Sequence, residues 1–258
     1  MMDLVMDLRC GVSGDMLLGA LLDWYERENG DIADVLGTIA GAASVQSPTR
    51  VWTREVDRYG SKAKRFYTEW EKLETDTTSG RDMLEYLDRG LAAAGMNHRV
   101  KRLATRIMMN LLTAEASVHN VRGPEEVHLH EAGTPDTLAD VLGIAYVSDR
   151  LEVDGYWVKA TPVSLGQGTI ATAHGAYDIP VPAVRHMIRE LPARIGPVQG
   201  ELATPTGMAA VRSLVELWLD HGDVGDCSGL EGRPVGRGAG EREYDGNFPN
   251  VLTLYEEV

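Results

Sequence analysis

The stretch from Val127 to Asp140 constrains this chain most. It reads Val-His-Leu-His-Glu-Ala-Gly-Thr-Pro-Asp-Thr-Leu-Ala-Asp. Val127 and Leu129 alternate with His128 and His130, the period of a strand, which predicts both imidazoles on one face, roughly 6–7 Å apart at Cα. Gly133 breaks the strand, Thr134 is a good helix N-cap, and Pro135 suits the first helical position. Asp136 and Asp140 then share a face of the helix that follows. A strand-to-helix junction can thus gather two imidazoles with Glu131, Asp136 and Asp140. Imidazole plus carboxylate suits a divalent transition metal; carboxylates alone suit magnesium or manganese. Singly, a His or Asp near a helix start is a cap or a solvated side chain. Five in one window predict a metal or catalytic site.

A similar junction opens the chain. Met2 to Leu8 reads as a short buried strand with Asp7 at its end, a position suited to a metal ligand. Cys10-Gly-Val-Ser-Gly-Asp-Met16 is a glycine-rich turn, and a helix follows with Leu17, Leu18, Leu21, Leu22 and Tyr25. Free N–H groups and the helix dipole make such a turn a ready anion site. No Gly-Lys-Ser/Thr follows, so it is not a Walker loop. Ser13 or Asp15 can also simply cap the helix.

The remaining pattern predicts a helix over Asp31–Ala40, strands over Val51–Val56 and Ala63–Trp70 around a turn at Gly60, and a polar loop over Glu71–Gly80. Helices are expected over Arg81–Ala94, His98–His119 and Thr137–Leu151. His119 suits the dipole at its helix end better than it suits ligation. Gly155–Ala160 and a second short strand to Ala173 flank a loop, and His174-Gly175 ends that second strand as polar surface unless the fold brings it to the central histidines. A helix opens after Pro180-Val-Pro182. Ala203-Thr-Pro-Thr-Gly-Met208 opens another, running to Leu219 with His221-Gly222 closing it, and its free N–H groups suit a phosphate or carboxylate. Val235-Gly-Arg-Gly-Ala-Gly240 lacks dinucleotide-fingerprint spacing but permits close backbone approach to a ligand. A final strand is expected from Asn250 to Tyr255. These elements predict an α+β (mixed α/β) fold in one compact unit over residues 1–258, with possible lobes 1–125 and 126–258.

Charge and cysteine usage narrow the class. Lys+Arg is 25 and Asp+Glu 39, a net charge of −14, which argues against nucleic acid or an anionic membrane as partner. Arginines outnumber lysines 20 to 5. Cys10 and Cys227 form no CxxC pair, so neither a disulfide scaffold nor a thiolate zinc site is expected, and a reducing compartment is the default. Asp3 and Asp7 interrupt the first apolar run, and no run approaches the ~18 apolar residues of a membrane span. A cytoplasmic protein is expected.

Seven blocks in order carry a resemblance across nearly the whole chain: Gly11–Met16, Val127–Gly133 with Asp136 and Asp140, Pro162–Gly168, Ala173–Gly175 with Ile179–Pro182, Glu201–Gly207, Gly236–Gly240 and Pro249–Leu252. The sequence resembles the N-terminal part of the LarC family of nickel-insertion proteins. That resemblance implies a nickel chelatase of the lyase class, delivering nickel to a pyridinium bis-thiocarboxylic acid mononucleotide with consumption of CTP and use of magnesium or manganese. Family members usually continue into a C-terminal domain associated with nickel binding, whereas this sequence stops at Val258. Many also carry a His-rich stretch where this one has Glu74–Asp82 without histidine. A separate C-terminal LarC-like subunit is therefore an expected partner, and a homo-oligomer is expected. The resemblance and spacing together assign Asp7, Asp15, Glu131 and Asp136 to catalysis. Ser13, Gly14, Thr204, Thr206 and Gly207 fall to the nucleotide, and His128, His130, Glu131, Asp136, Asp140 and His174 to metal. Two rival readings keep the site: a metal-dependent nucleotide or phosphate-ester hydrolase, and a non-catalytic metal-binding or scaffold protein.

Overall fold

A computed structural model describes residues 2–73, 77–172, 175–189, 191–219 and 230–257. Its centre is a seven-stranded mixed sheet. The strands are β1 (Asp3–Asp7), β2 (Thr49–Arg58), β3 (Ser61–Trp70), β4 (Trp157–Ala160), β5 (Leu217–Trp218), β6 (Arg233–Ala239) and β7 (Val251–Glu257). They lie in the order β5-β4-β1-β7-β6-β3-β2. β1 runs parallel to β4 and antiparallel to β7. Leu4, Val5 and Met6 are consecutive and all fully buried, as in a central strand covered on both faces. Strands from before and after residue 125 interleave, so one sheet uses both ends of the sequence.

Four two-stranded sheets, one pairing Thr78–Ser79 with His128–Leu129, and seven α-helices accompany it among the described residues: α1 (Gly14–Asn29), α2 (Ala33–Ala43), α3 (Gly80–Ala93), α4 (His98–His119), α5 (Pro135–Arg150), α6 (Pro182–Met187) and α7 (Pro205–Leu214). The architecture is the expected α+β. α1 lies against β6 and β3, and α5 packs beside α1 with α2 and α4 around it. α5 is the innermost helix: 12 of its 16 residues are buried, and apolar side chains run around nearly its whole circumference. Leu138 and Leu142 are fully buried there, each stabilising the fold by about 1.5–3 kcal/mol.

The glycines of β6 set how closely α1 approaches. A Cβ on Gly238 would stand 1.8 Å from the Met16 carbonyl oxygen, and one on Gly236 would stand 2.1 Å from that of Ala20. At Gly236 and Gly238 the close backbone approach expected for this segment is therefore to a helix. At the β2–β3 hairpin, Tyr59 and Gly60 both have positive φ, 53° and 86°. That is the two-residue turn whose twist suits adjoining strands.

The end of α7 differs from the sequence reading. α7 ends at Leu214, not Leu219. Val215 turns extended, and the backbone of Glu216 and Leu219 donates to the carbonyls of Val158 and Ala160 at 2.8 Å, making Leu217–Trp218 an edge strand. The C-cap expected at His221-Gly222 lies outside the described residues. Cys10 is disulfide-bonded, which corrects the expectation of reduced, unlinked thiols. Among the described residues no helix is long and apolar enough to cross a membrane.

Candidate functional site

The turn after β1 and the turn before α7 are laced together. Val12 N–H donates to the Leu202 carbonyl at 2.7 Å, and Thr204 N–H donates to the Val12 carbonyl at 3.0 Å. Thr204 caps α7, its hydroxyl accepting from Gly207 N–H at 3.2 Å. Gly207 is needed for this contact, since a Cβ there would lie 2.6 Å from Ser13 Cα. α1 and α7 therefore begin side by side. α5, opening at Pro135, brings Asp136, Thr137 and Asp140 to the same place. Ser13–Asp15, Asp136–Thr137 with Asp140, and Thr204–Thr206 all line one cavity of about 600 Å³. Three helix N-terminal turns, each with a positive dipole end, open on a common space.

Seven carboxylates line that cavity: Asp15, Asp136, Asp140, Glu241, Glu115, Glu131 and Glu201. They fall into two groups by the fields they exert. In the first, burial pushes the Asp15 carboxyl up to about 6, against the Ser13 hydroxyl that donates to it, and the Asp136 and Glu241 charges add to the rise. Asp136 is raised by burial and by Glu241. Asp140 is raised furthest, by burial first and then by Asp136 and Asp15. Its side chain is 4% exposed with Oδ1 lacking any hydrogen-bond partner, and its other oxygen lies 2.1 Å from where a Gly14 Cβ would be. Gly14 is thus required by a carboxylate of this same chain.

The second group holds the imidazoles. Burial raises Glu115 to about 7 with help from the Glu131 charge. Burial also raises Glu201 to about 7; the Arg242 cation opposes that rise and Glu131 adds to it. His119 Nε2 lies 3.9 Å from Glu115, and His130 lines the same cavity. Arg65 approaches Glu241 at 3.5 Å. One group offers only hard oxygen donors, and the other offers oxygen with imidazole nitrogen. Among the described residues no three His, Cys, Asp or Glu groups stand ready to close around one ion.

The sequence-predicted residues are therefore divided. Asp15, Asp136, Asp140, Glu131, His130, Ser13, Gly14, Thr204 and Thr206 come together in the cavity, and Gly207 lies behind it as packing. Asp7 does not join them. Arg9 holds both its oxygens, Nε to Oδ1 and Nη2 to Oδ2 at 2.8 Å each, so the expected ligand is one half of a buried ion pair. His128 is also corrected. The strand stops at Leu129, so the alternation that would put both imidazoles on one face is lost; His128 is exposed, paired with Ser79, outside the cavity lining. His174 lies outside the described residues. Glu115, His119, Glu201, Glu241 and Arg242 were not expected in the site. Glu115 and His119 are four apart on α4, a spacing that puts both on one face. Glu201 opens the motif block Glu201–Gly207, and Glu241-Arg242 adjoin the block Gly236–Gly240.

A family model described as nickel insertion protein matches residues 4–257. A relative from a Nocardioides species, named pyridinium-3,5-bisthiocarboxylic acid mononucleotide nickel insertion protein, is 35% identical over 98% of this chain and 59% of its own length. Relatives from Dictyoglomus thermophilum and Methanothermobacter thermautotrophicus, whose names also describe nickel insertion, are 30% and 32% identical over 98% and 95% of this chain. The match covers 60% and 56% of those two proteins, so the chain spans well under two thirds of the relatives it matches. No solved structure matches.

Proposed function

Because the chain belongs to the nickel insertion protein family, we propose that it performs the nucleotide- and metal-handling part of nickel insertion into a pyridinium bis-thiocarboxylic acid mononucleotide. The observation that carries this reading is the meeting of three helix N-terminal turns and seven carboxylates on one cavity. Its volume of about 600 Å³ falls within the ~300–1,000 Å³ of small-molecule sites. Backbone N–H groups at the starts of α1, α5 and α7 suit a phosphate, whether that of the mononucleotide or the triphosphate of CTP.

The carboxylates suit the cations. Asp15, Asp136 and Asp140 would hold magnesium or manganese, and the unpartnered Oδ1 of Asp140 is the group such an ion would satisfy. Magnesium typically takes one or two carboxylates and completes its shell with phosphate oxygens and water. A closed protein cage is accordingly not required, in keeping with its absence among the described residues. When bound, the ion would offset phosphate charge against the acidic wall. Nickel, as substrate, would suit the mixed wall of Glu115, His119, His130 and Glu131. The chain's own residues would orient the nucleotide, take protons at Glu115 and Glu201, and hold the two cations apart. The rest of the relatives' length, on the same polypeptide or supplied by a partner, would complete the reaction.

The test is nickel transfer to the precursor with CTP and magnesium or manganese, by this chain alone and with such a partner. Nickel and nucleotide should bind to the chain, with transfer appearing only when the partner is added. Repeated turnover by the chain alone would overturn the need for a partner. Phosphate release without nickel transfer in either mixture would favour a hydrolase. Metal uptake with no nucleotide binding would favour a scaffold.

A further inference from the structure

Along β3 the cavity wall changes character. Tyr67 and Arg65 line it, two residues apart on one face of the strand. Trp52, directly across the hairpin, stacks on Tyr67 with centroids 5.2 Å apart and planes 3° from parallel. The Arg65 guanidinium lies 4.3 Å from the centre of the Tyr67 ring. Glu241 steadies that guanidinium at 3.5 Å, yet its Nε is buried without a hydrogen-bond partner. The indole Nε1 of Trp52 is likewise buried and unpartnered. A packed aromatic pair topped by a planar cation, on the edge of a polar cavity, is dearer than a solvated hairpin face needs. Both aromatics are half-buried, and the Trp52 indole N–H forgoes a partner.

Resting on the nucleotide reading above, we infer that Tyr67 and Arg65, backed by Trp52, form the platform on which the flat ring of the nucleotide stacks. Phosphate is bound at the helix N-terminal turns. The ring lies along β3, and the stack selects ring-bearing phosphates over ringless ones. A pyridinium and a pyrimidine share the needed chemistry, a flat π face. The phenol face accepts either one, while the guanidinium, itself a cation, favours the neutral pyrimidine over the pyridinium. Tyr67 and Arg65 are specificity residues in this proposal, not catalytic ones.

The test compares binding of nicotinamide mononucleotide, CMP and ribose 5-phosphate by calorimetry, each with magnesium. The wild-type chain should prefer one ring-bearing ligand over ribose 5-phosphate by about tenfold, as one base–aromatic stack allows. Which ligand shows the preference identifies a pyridinium or a pyrimidine as the ring. Tyr67→Leu should bring that ratio near one while ribose 5-phosphate affinity stays unchanged, and Tyr67→Phe should keep it. Arg65→Gln should shift the ratio as well, down for the neutral pyrimidine and up for the cationic pyridinium, and it decides the matter if Tyr67→Leu does not fold. A ratio that survives both Tyr67→Leu and Arg65→Gln overturns the platform but leaves the phosphate site standing. Equal wild-type binding of all three does the same. A wild-type chain that binds none of the three overturns both readings.

Discussion

Gly14 and Asp140 are best understood as one unit. The helix start of α1 has no side chain there because the Asp140 carboxyl fills the space. Gly14→Ala should therefore cost about 1–3 kcal/mol by overpacking. Asp140→Ala should relieve most of that cost, so the double variant is more stable than the sum of the two singles predicts. Denaturant melts of the four proteins measure the coupling, and strict additivity would contradict the contact. Asp140→Asn keeps the shape and removes the charge. Without metal it should melt no lower than wild type, and it should lose the stabilisation that magnesium or manganese gives. The same carboxylates set a pH dependence. Asp15 stands at about 6, and Glu115 and Glu201 at about 7, all above ordinary carboxylates. The folded state binds these protons more tightly than the unfolded chain. The stability these three groups contribute is full below the ordinary carboxylate range and is lost as pH climbs through about 6 and 7. Metal-free melting temperatures should thus fall between pH 5 and pH 7.5, on the order expected for such linkage, and a divalent cation should restore them. A melting temperature that rises over this range would show that other groups dominate.

Among the elements, α1 and β6 depend most tightly on each other. Gly238→Ala would drive a Cβ into the Met16 carbonyl. Neither partner is a flexible side chain, so α1 must shift or the sheet must open. A loss of about 3 kcal/mol, or failure to fold, is the expected result, read by urea melts. A variant as stable as wild type would mean that the helix is not seated as described. This contact also shows what was legible in the sequence. The elements whose signals are local were foreseen: the β2–β3 hairpin from its turn glycine, α4 to the residue from its apolar spacing, and the α5 start from Thr134-Pro135. β6 was not, because Val235–Gly240 lacks strand-like side chains and earns its place through glycine packing. α7 was drawn too long because pairing with β4, a contact made far along the chain, ends it early. In the site, carboxylates beside motif glycines were legible in part. Glu115 and His119 were not, since only the tertiary packing of α4 on α5 turns them toward Glu131. Asp7 looked like a ligand because Arg9, two residues on, gives no sequence sign that it will fold back.

At the scale of the molecule, the net charge of −14 and the acidic cavity act in the same direction. Divalent cations should be drawn in by the summed field, and their affinity should fall as ionic strength rises. Calorimetric titrations of magnesium or manganese at low and high sodium chloride check this. An affinity indifferent to salt would place the binding groups somewhere better shielded than the cavity. The order of strands carries a different consequence. β1 spans residues 3–7, but its neighbours are β4 at 157–160 and β7 at 251–257. This inner strand therefore leaves the ribosome well before either neighbour can pair with it. Loop closure over such separations is slow, and Leu-Val-Met must wait with its ladder unpaired. The molecule's folding speed is tied to this pairing, by how long β1 can stay soluble before β7 arrives.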